Sequence, residues 1–437
     1  MIQLLLRKAL LVLLFFTIAG ARLQAQFLMD MIDTSKDIGR GMLGVYKKYD
    51  HLRISGYMQP QFQLASDTGI NSYSGGNFPT NSNNRFMFRR GRVRFDYARY
   101  TKENFPSVQF VFQFDGTERG VFIRDFWGRV WENKWHLFAF TTGMFARPFG
   151  YEVNLSSGDR EAPERGRMSQ ILMKTERDLG AMISFEPQQK SSPLHNLKID
   201  AGLFNGQGLT WINDFDRYKD FIGQVYWKPT EVAHHLFLSG GVSYLNGGIR
   251  QPGRYRYYTT EGTGGSTKET ADSTHATGSK MPRKYAGINT QLKLKHGWGA
   301  TELRAEYWQG TQTGTQSSSE TPAPLANGEN LYVRKFNGAF ICLLQNIAND
   351  KNQLILKYDI YDPNTAVKDL AIGSTGTNFS AADIKFSTLG FGVLRHINEN
   401  LKVVFYYDLV HNEATSLKAY TSDISDNVLT CRLQFRF

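Results

Sequence analysis

The last residues, Asn427 to Phe437, read N-V-L-T-C-R-L-Q-F-R-F. Leu429, Cys431, Leu433, Phe435 and Phe437 share one face of an extended chain, and Arg432, Gln434 and Arg436 share the other. Successive side chains of a strand point to opposite faces, so this alternation predicts a strand with one apolar side and one wet side. It runs to the final residue, where a soluble domain would fray. In a closed barrel the last strand pairs with the first and no edge is left over.

The other end reads as an address. Arg7 and Lys8 precede an uncharged run of 13 residues, Ala9 to Ala21, and Ala21 or Ala25 offers a small residue at which to cut. That is the layout of a cleaved secretory signal, and the run falls short of the roughly 20 residues a membrane helix needs. The expected organisation is a signal over 1–25, a periplasmic segment or linker over 26–50, and an outer-membrane β-barrel over 51–437. The terminal Phe437 resembles the signal such barrels present for assembly. That resemblance implies the barrel-assembly machinery as a partner during biogenesis and outer-membrane lipid as the surroundings.

Composition agrees. Aromatic residues make up 14% of the chain, with 31 Phe, 21 Tyr and 41 Gly. A barrel with a lipid face and a wet lumen has this mixture. The formal net charge is +11; the signal takes Arg7, Lys8 and Arg22 and no acid, leaving +8. In an exported barrel a basic balance points to small anions in a pore, and not to nucleic acid. Cys342 and Cys431 read as lipid-facing positions on strands that are not neighbours, which argues against a disulfide. No Cys/His spacing indicates a metal, and nothing indicates a cofactor. His234 and His235 fall in a turn, at the end of a short link that begins at Pro229.

About sixteen alternating segments follow one another from Leu52–Leu64 and Arg85–Tyr100 to Leu401–His411 and Val428–Phe437. Short and long links alternate, as short periplasmic turns and longer external loops require. The link from the third to the fourth strand is short where a longer loop is expected, which leaves the count open by two, and the faces of the fourth strand, Val121 to Trp131, are mixed. The tracts 246–284 and 310–330 are rich in Gly, Thr and Ser and read as solvated loops.

Arginine gathers in two places. In R-F-M-F-R-R-G-R-V-R-F-D-Y (Arg85 to Tyr97), Val93, Phe95 and Tyr97 make an outward row, while Phe86 and Phe88 sit on the opposite parity. A bulge near Arg90–Gly91 reconciles the two and turns Arg89, Arg92 and Arg94 inward, with Arg90 at the kink. Charges facing lipid would cost about 2–4 kcal/mol each at the midplane, so these must line water or pair. The second cluster lies in the third external loop, 146–178: Arg147, Arg160, Arg165, Arg167, Lys174 and Arg177, among Glu152, Asp159, Glu161, Glu164, Glu176 and Asp178. For both clusters two readings stand. One is structural pairing with acids. The other is an anion-selecting constriction, for which the planar fork of Arg is suited. Lys293, Lys295, Arg304, Lys357 and Lys402 extend the positive lumen, tempered by Glu302, Glu306, Asp359 and Asp408.

Several blocks in this order resemble a known family: G-Y-M-Q-P-Q-F (Gly56 to Phe62), R-R-G-R (Arg89 to Arg92), G-M-F-A-R-P-F-G-Y-E (Gly143 to Glu152), A-G-L-F-N-G-Q-G (Ala201 to Gly208) and Y-W-K-P (Tyr226 to Pro229). Together they resemble the phosphate-selective porin O and P family over Leu52 to Phe437. The resemblance implies a sixteen-stranded, trimeric anion porin with the third external loop folded into the lumen. It also implies that arginines and lysines hold the anion, a role carried here to Arg89, Arg90 and Arg92 and to loop residues Arg160, Arg165, Arg167, Lys174 and Arg177. The aromatic second strand and the acids of the third loop depart from the family's cationic ladder.

Two other classes of function are open. A channel for sugars or organic acids, or a scaffold barrel, would use lumen aromatics such as Tyr226 and Tyr406. An outer-membrane hydrolase would need a residue pair near His411, but Asp408, three positions away on a strand, falls on the opposite face. No catalytic motif stands out, and no enzyme is expected.

Overall fold

The computed structural model describes residues 51–209, 214, 216–261, 267–320, 325 and 328–437. The expected export signal and the segment up to Asp50 lie outside them. Among the described residues no helix is long and apolar enough to cross a membrane. The chain crosses with strands instead.

In chain order these are β1 (Leu52–Ala65), β2 (Asn84–Tyr100), β3 (Pro106–Thr117), β4 (Gly120–Trp131), β5 (Phe138–Ala146), β6 (Arg177–Phe185), β7 (Leu197–Phe204), β8 (Asp220–Ala233) and β9 (Leu236–Arg250). Then come β10 (Arg256–Glu261), β11 (Thr267–Asp272), β12 (Lys280–His296), β13 (Gly299–Gly314) and β14 (Leu331–Ile347). β15 (Asn349–Asp362), β16 (Phe386–His396), β17 (Leu401–Asn412) and β18 (Val428–Arg436) complete the set. β9 pairs directly with β12, so the β10–β11 hairpin stands outside the ring and leaves a closed antiparallel wall of sixteen strands. β18 closes it on β1, from Tyr57 opposite Arg436 to Ala65 opposite Val428. Gly56 and Phe437 exchange both backbone hydrogen bonds at 3.1 Å, so the terminal strand does not fray.

Alternation sorts the side chains. Phe110, Phe112 and Phe114 of β3, Phe391 and Val393 of β16 and Phe405 of β17 are exposed on the outside. Gln59, Gln61 and Gln63 of β1 and Arg432 and Gln434 of β18 are buried within. An outer surface of this kind is satisfied by lipid, and the closed ladder leaves no backbone edge in it. The wall is a transmembrane barrel of the bacterial outer-membrane type.

The short third-to-fourth link is real. Thr117 pairs with Gly120 across a tight turn, and the strand number holds. The inner and outer parity of β2 does switch between Arg89 and Arg90. Arg85 reaches Gln63 and Met87 accepts from Gln61 inside, Phe86 meets Phe62 outside at 4.8 Å, and from Arg90 onward the even positions face in. A second bulge explains the mixed faces of β4. Gln113 pairs with Asp125 and Phe114 with Ile123, so Arg124 is the extra residue and points inward beside Asp125.

Three expectations are corrected. Pro229 lies within β8, not in a turn, and the register slips between Trp227 and Thr230, because proline has no N–H to give the ladder. The turn is His234–His235, with His235 at φ 61°. The tract 246–284 is not all loop: β9 and β12 extend through it to Arg250 and Lys280, and β10–β11 pair within it. Its apolar side chains, Ile249 and Met281, pack with Leu331 and Val333. Cys342 faces inward, buried with Phe340 and Leu344, because the third loop covers that stretch of wall and makes an apolar inner surface. Cys431 faces outward opposite Phe62, and both thiols are free.

Phe405 is half exposed in the outward row of β17, between Val393 and Cys431. Phe405→Arg is expected to cost about 2–4 kcal/mol if the position lies near the midplane, whereas Phe405→Leu is nearly silent. The unfolding midpoint in urea, read from the heat-modifiable gel shift in lipid vesicles, checks this.

Candidate functional site: the third loop and the lumen

The loop between β5 and β6, residues 147–176, folds into the barrel, as expected. Its entry is built by F-G-Y-E (Phe149 to Glu152). Phe149 is wholly buried, with its ring 4.8 Å from Trp308 in an edge-on contact. Gly150 has φ 70°, and a Cβ there would sit 2.4 Å from Glu306 Oε1, so only glycine fits. The next two N–H groups, of Tyr151 and Glu152, donate to the two carboxylate oxygens of Glu306 at 2.7 and 2.9 Å. Val153, Leu172 and Met173 then bury against Tyr285, Phe336 and Tyr361 of the wall. One short helix, α1 (Arg167–Leu172), lies in the loop.

Charge fastens the rest. Glu152 pairs with Lys357 of β15 and accepts from Ser169 Oγ and the Gly166 N–H, tying the start of the loop to its helix. Glu164 is shared by Arg89 and Arg90 of β2 at 2.9 and 2.7 Å and by Arg432 of β18 at 2.7 Å. Arg160 stands 3.9 Å away. Burial by itself would raise the Glu164 carboxyl, but the three wall arginines hold it well below the usual carboxylate range. Glu176 serves Arg124 and Arg165 at 3.0 Å and Arg177 at 4.0 Å. Arg304 grips Glu161 at two points, and Lys402 donates to the carbonyls of Gly158 and Arg160. The loop is thus laid against β13–β18, β1 and β2.

The structure brings most of the expected residues together and gives them partners. Arg92 pairs with Asp115 and donates to Tyr57 and Ser157 at 2.7 Å. Arg94 forks onto Asp96 in its own strand, away from the Glu164 group. Arg167 stacks over Phe386 at 3.6 Å and Tyr73 at 4.6 Å. Lys174 pairs with Glu320 in another loop, and Arg177 with Asp125 at 3.1 Å. Arg147 is buried and donates to the carbonyl of Thr175. His411 lies 3.0 Å from Asp423, not beside Asp408.

Pairing is not neutralisation. Four carboxylates, Glu164, Glu176, Asp115 and Asp125, are shared among eight guanidinium groups, of Arg89, Arg90, Arg92, Arg124, Arg160, Arg165, Arg177 and Arg432. Arg124 and Arg432 were not among the expected site residues. Arg124 owes its inward direction to the bulge, and Arg432 to the barrel closure that brings β18 to loop 3.

Two cavities flank the loop. One, of about 880 Å³, opens among the long loops; Arg85, Arg89, Arg90, Arg119, Arg165, Arg167 and Lys174 line it against Glu118, Glu164 and Glu320. The other, of about 490 Å³, lies between loop 3 and the inner face of β4–β8. Its basic residues are Arg94, Arg129, Arg177, Lys198 and Lys228, its acids Asp125 and Asp200, and its aromatics Trp127, Phe145, Tyr151 and Tyr226. Sequence reasoning passed over Arg129, because the mixed faces of β4 hid its direction.

Glu164→Gln removes the charge that compensates four guanidinium groups. It is expected to cost about 3 kcal/mol or more and to loosen loop 3. A carboxylate whose folded-state pKa is depressed contributes fully above its unfolded value and loses that contribution only as the pH falls through the depressed one. The wild-type loop should therefore hold at neutral and mildly acidic pH and loosen only well below the ordinary carboxylate range. Glu164→Gln should show the loosened state already at pH 7, as noise in single-channel conductance and as proteolysis within 147–176.

No family model matches the chain, and no curated protein matches it, so the resemblance to phosphate-selective porins rests on the sequence blocks alone. Solved structures do match. Pseudomonas putida OprB, in its high-pH structure, is 10% identical with a TM-score of 0.55, covering 92% of this chain and 97% of that one. The outer membrane channel DcaP of Acinetobacter baumannii is 10% identical with a TM-score of 0.51, covering 88% and 97%. At that identity the likeness is one of fold. The chain has the barrel fold of outer-membrane channels.

Proposed function

We propose that this barrel is a passive diffusion channel that prefers small anions, phosphate among them. The observation that carries the reading is the excess of guanidinium over carboxylate in the ion-pair network that joins loop 3 to β2, β4 and β18, where four acids are shared by eight arginines. In a low-dielectric wall such an excess sets a positive potential along the lumen, raising the local concentration of anions and lowering that of cations. The acids are what allow so many arginines to crowd together. Diffusion needs no catalytic group, and we propose none. Arg89 and Arg165, which line the outer cavity, and Arg177, which lines the inner one, are the proposed contacts of the passing anion. Arg90, which borders the same outer cavity, adds charge beside them, Arg92 and Arg160 add it from behind, and the trimer implied by the family resemblance belongs to the same proposal.

A channel without selectivity is the second reading. It is favoured by the direct ion pairs of Arg92, Arg94 and Lys174, which spend those charges on the wall and the loops.

The zero-current potential across a tenfold KCl gradient decides between them. A wholly selective pore would reach about 59 mV. The expected result is the anion-selective sign, with Arg89→Gln plus Arg165→Gln moving the potential toward zero. A potential near zero in the wild type supports the second reading, and a cation-selective sign sinks the first.

A further inference from the structure

We propose that the cavity between loop 3 and β4–β8 is a binding subsite for organic carboxylates that carry a flat apolar ring, with Arg129 as the residue that holds the carboxylate. The inference rests on the anion-conducting reading and names a solute class for it.

Asp125, Trp127, Arg129 and Trp131 share the inward parity of β4, below the bulge at Arg124. The Arg129 guanidinium is fixed on three sides. Its Nε donates to Thr141 Oγ1 at 2.7 Å, and its Cζ lies 5.5 Å from the Trp127 ring centroid and 5.6 Å from that of Trp131. The other basic residues of the cavity have carboxylate partners: Arg94 with Asp96, Arg177 with Asp125, Lys198 with Asp200 and Lys228 with Glu186. Among the described residues, Arg129 has no ion pair. Its two terminal nitrogens therefore present a planar edge to the cavity, held in orientation but not committed to an acid. Such an edge takes a carboxylate at two points.

The rest of the lining is wrong for a small hydrated ion. Trp127, Phe145, Tyr151, Leu155 and Met182 present apolar surface beside the guanidinium. Tyr226 is oriented by its hydroxyl donating to Gln291 Oε1 at 3.1 Å. An inorganic anion would use the charge and leave that surface in water. A ring attached to the carboxylate would cover it, and ring contacts add to the ion pair.

The test uses the whole protein in planar bilayers, with benzoate, acetate and inorganic phosphate as probes. The half-blocking concentration of the chloride current is read for each. Benzoate should block at a roughly tenfold lower concentration than acetate. Arg129→Gln should raise the benzoate value by about tenfold or more. Trp127→Leu should bring benzoate and acetate together. Equal block by benzoate and acetate in the wild type overturns the subsite, and so does benzoate block that survives Arg129→Gln unchanged. If Arg129→Gln does not fold, the wild-type comparison and Trp127→Leu still decide. The zero-current potential in the same membranes separates the two ideas. An anion-selective pore without benzoate preference overturns the subsite alone, whereas a cation-selective pore overturns the conduction reading and the subsite with it.

Discussion

Glu164 joins loop 3 to the barrel from two strands at once, taking Arg89 and Arg90 from β2 and Arg432 from β18. Those strands flank β1, which seals the ring on β18. The same carboxylate therefore spans the barrel seam and fixes the loop inside. A segment carrying five cations could not lie against an arginine-bearing wall without acids between them, because buried charges must be compensated in place. Glu152 on Lys357 and Glu161 on Arg304 repeat the device further round the wall. With the loop held there, its apolar residues can bury against Tyr285, Trp308 and Phe336.

The clamp makes the lumen asymmetric. One side, from β13 through β18 to β2, is filled by the loop. The other, β4 to β8, faces open space. The two sides use charge differently. On the filled side, acids and arginines form a shared network whose excess is positive but whose members are mostly sequestered. On the open side, cations stand beside tryptophan and tyrosine, all but Arg129 paired, among the described residues, with an acid. A solute would feel the first as a field and touch the second as a surface. This division reconciles the two readings of the arginine clusters, since pairing orders them and the imbalance of pairing leaves a potential.

Much of the fold was legible from residue order. Strict alternation in Leu429 to Phe437, and its counterpart at Leu52 to Leu64, identified the closing strands, because a strand wet on one face and oily on the other is written directly into period-2 sequence. A bulge in β2 was legible too, expected near Arg90–Gly91 and found between Arg89 and Arg90, since Phe86 and Phe95 cannot share a face without it. Less legible was anything that depended on what lay across the lumen. Cys342 read as lipid-facing because its neighbours alternate with oily residues on both parities. It turned inward because loop 3 covers that wall, a fact no local pattern contains. The Gly- and Thr-rich tract after β9 read as solvated loop because backbone pairing of β10 with β11 needs no apolar signature.

By itself the sequence determined the barrel, its strand number to within two, its basic lumen and the charge-laced third loop, whose entry into the lumen only the family resemblance implied. Each of these follows from short-range alternation and from charge, which are properties of neighbours along the chain. Tertiary structure alone decided which acid holds which arginine, that Arg124 and Arg432 join the network, and that Arg129 has no ion pair among the described residues. Ion pairs such as Arg124 with Glu176 and Arg432 with Glu164 join segments from about 50 to more than 250 residues apart. They are set when β18 meets β1 and the loop settles on the wall, and a charge acquires its role only from what faces it across that space.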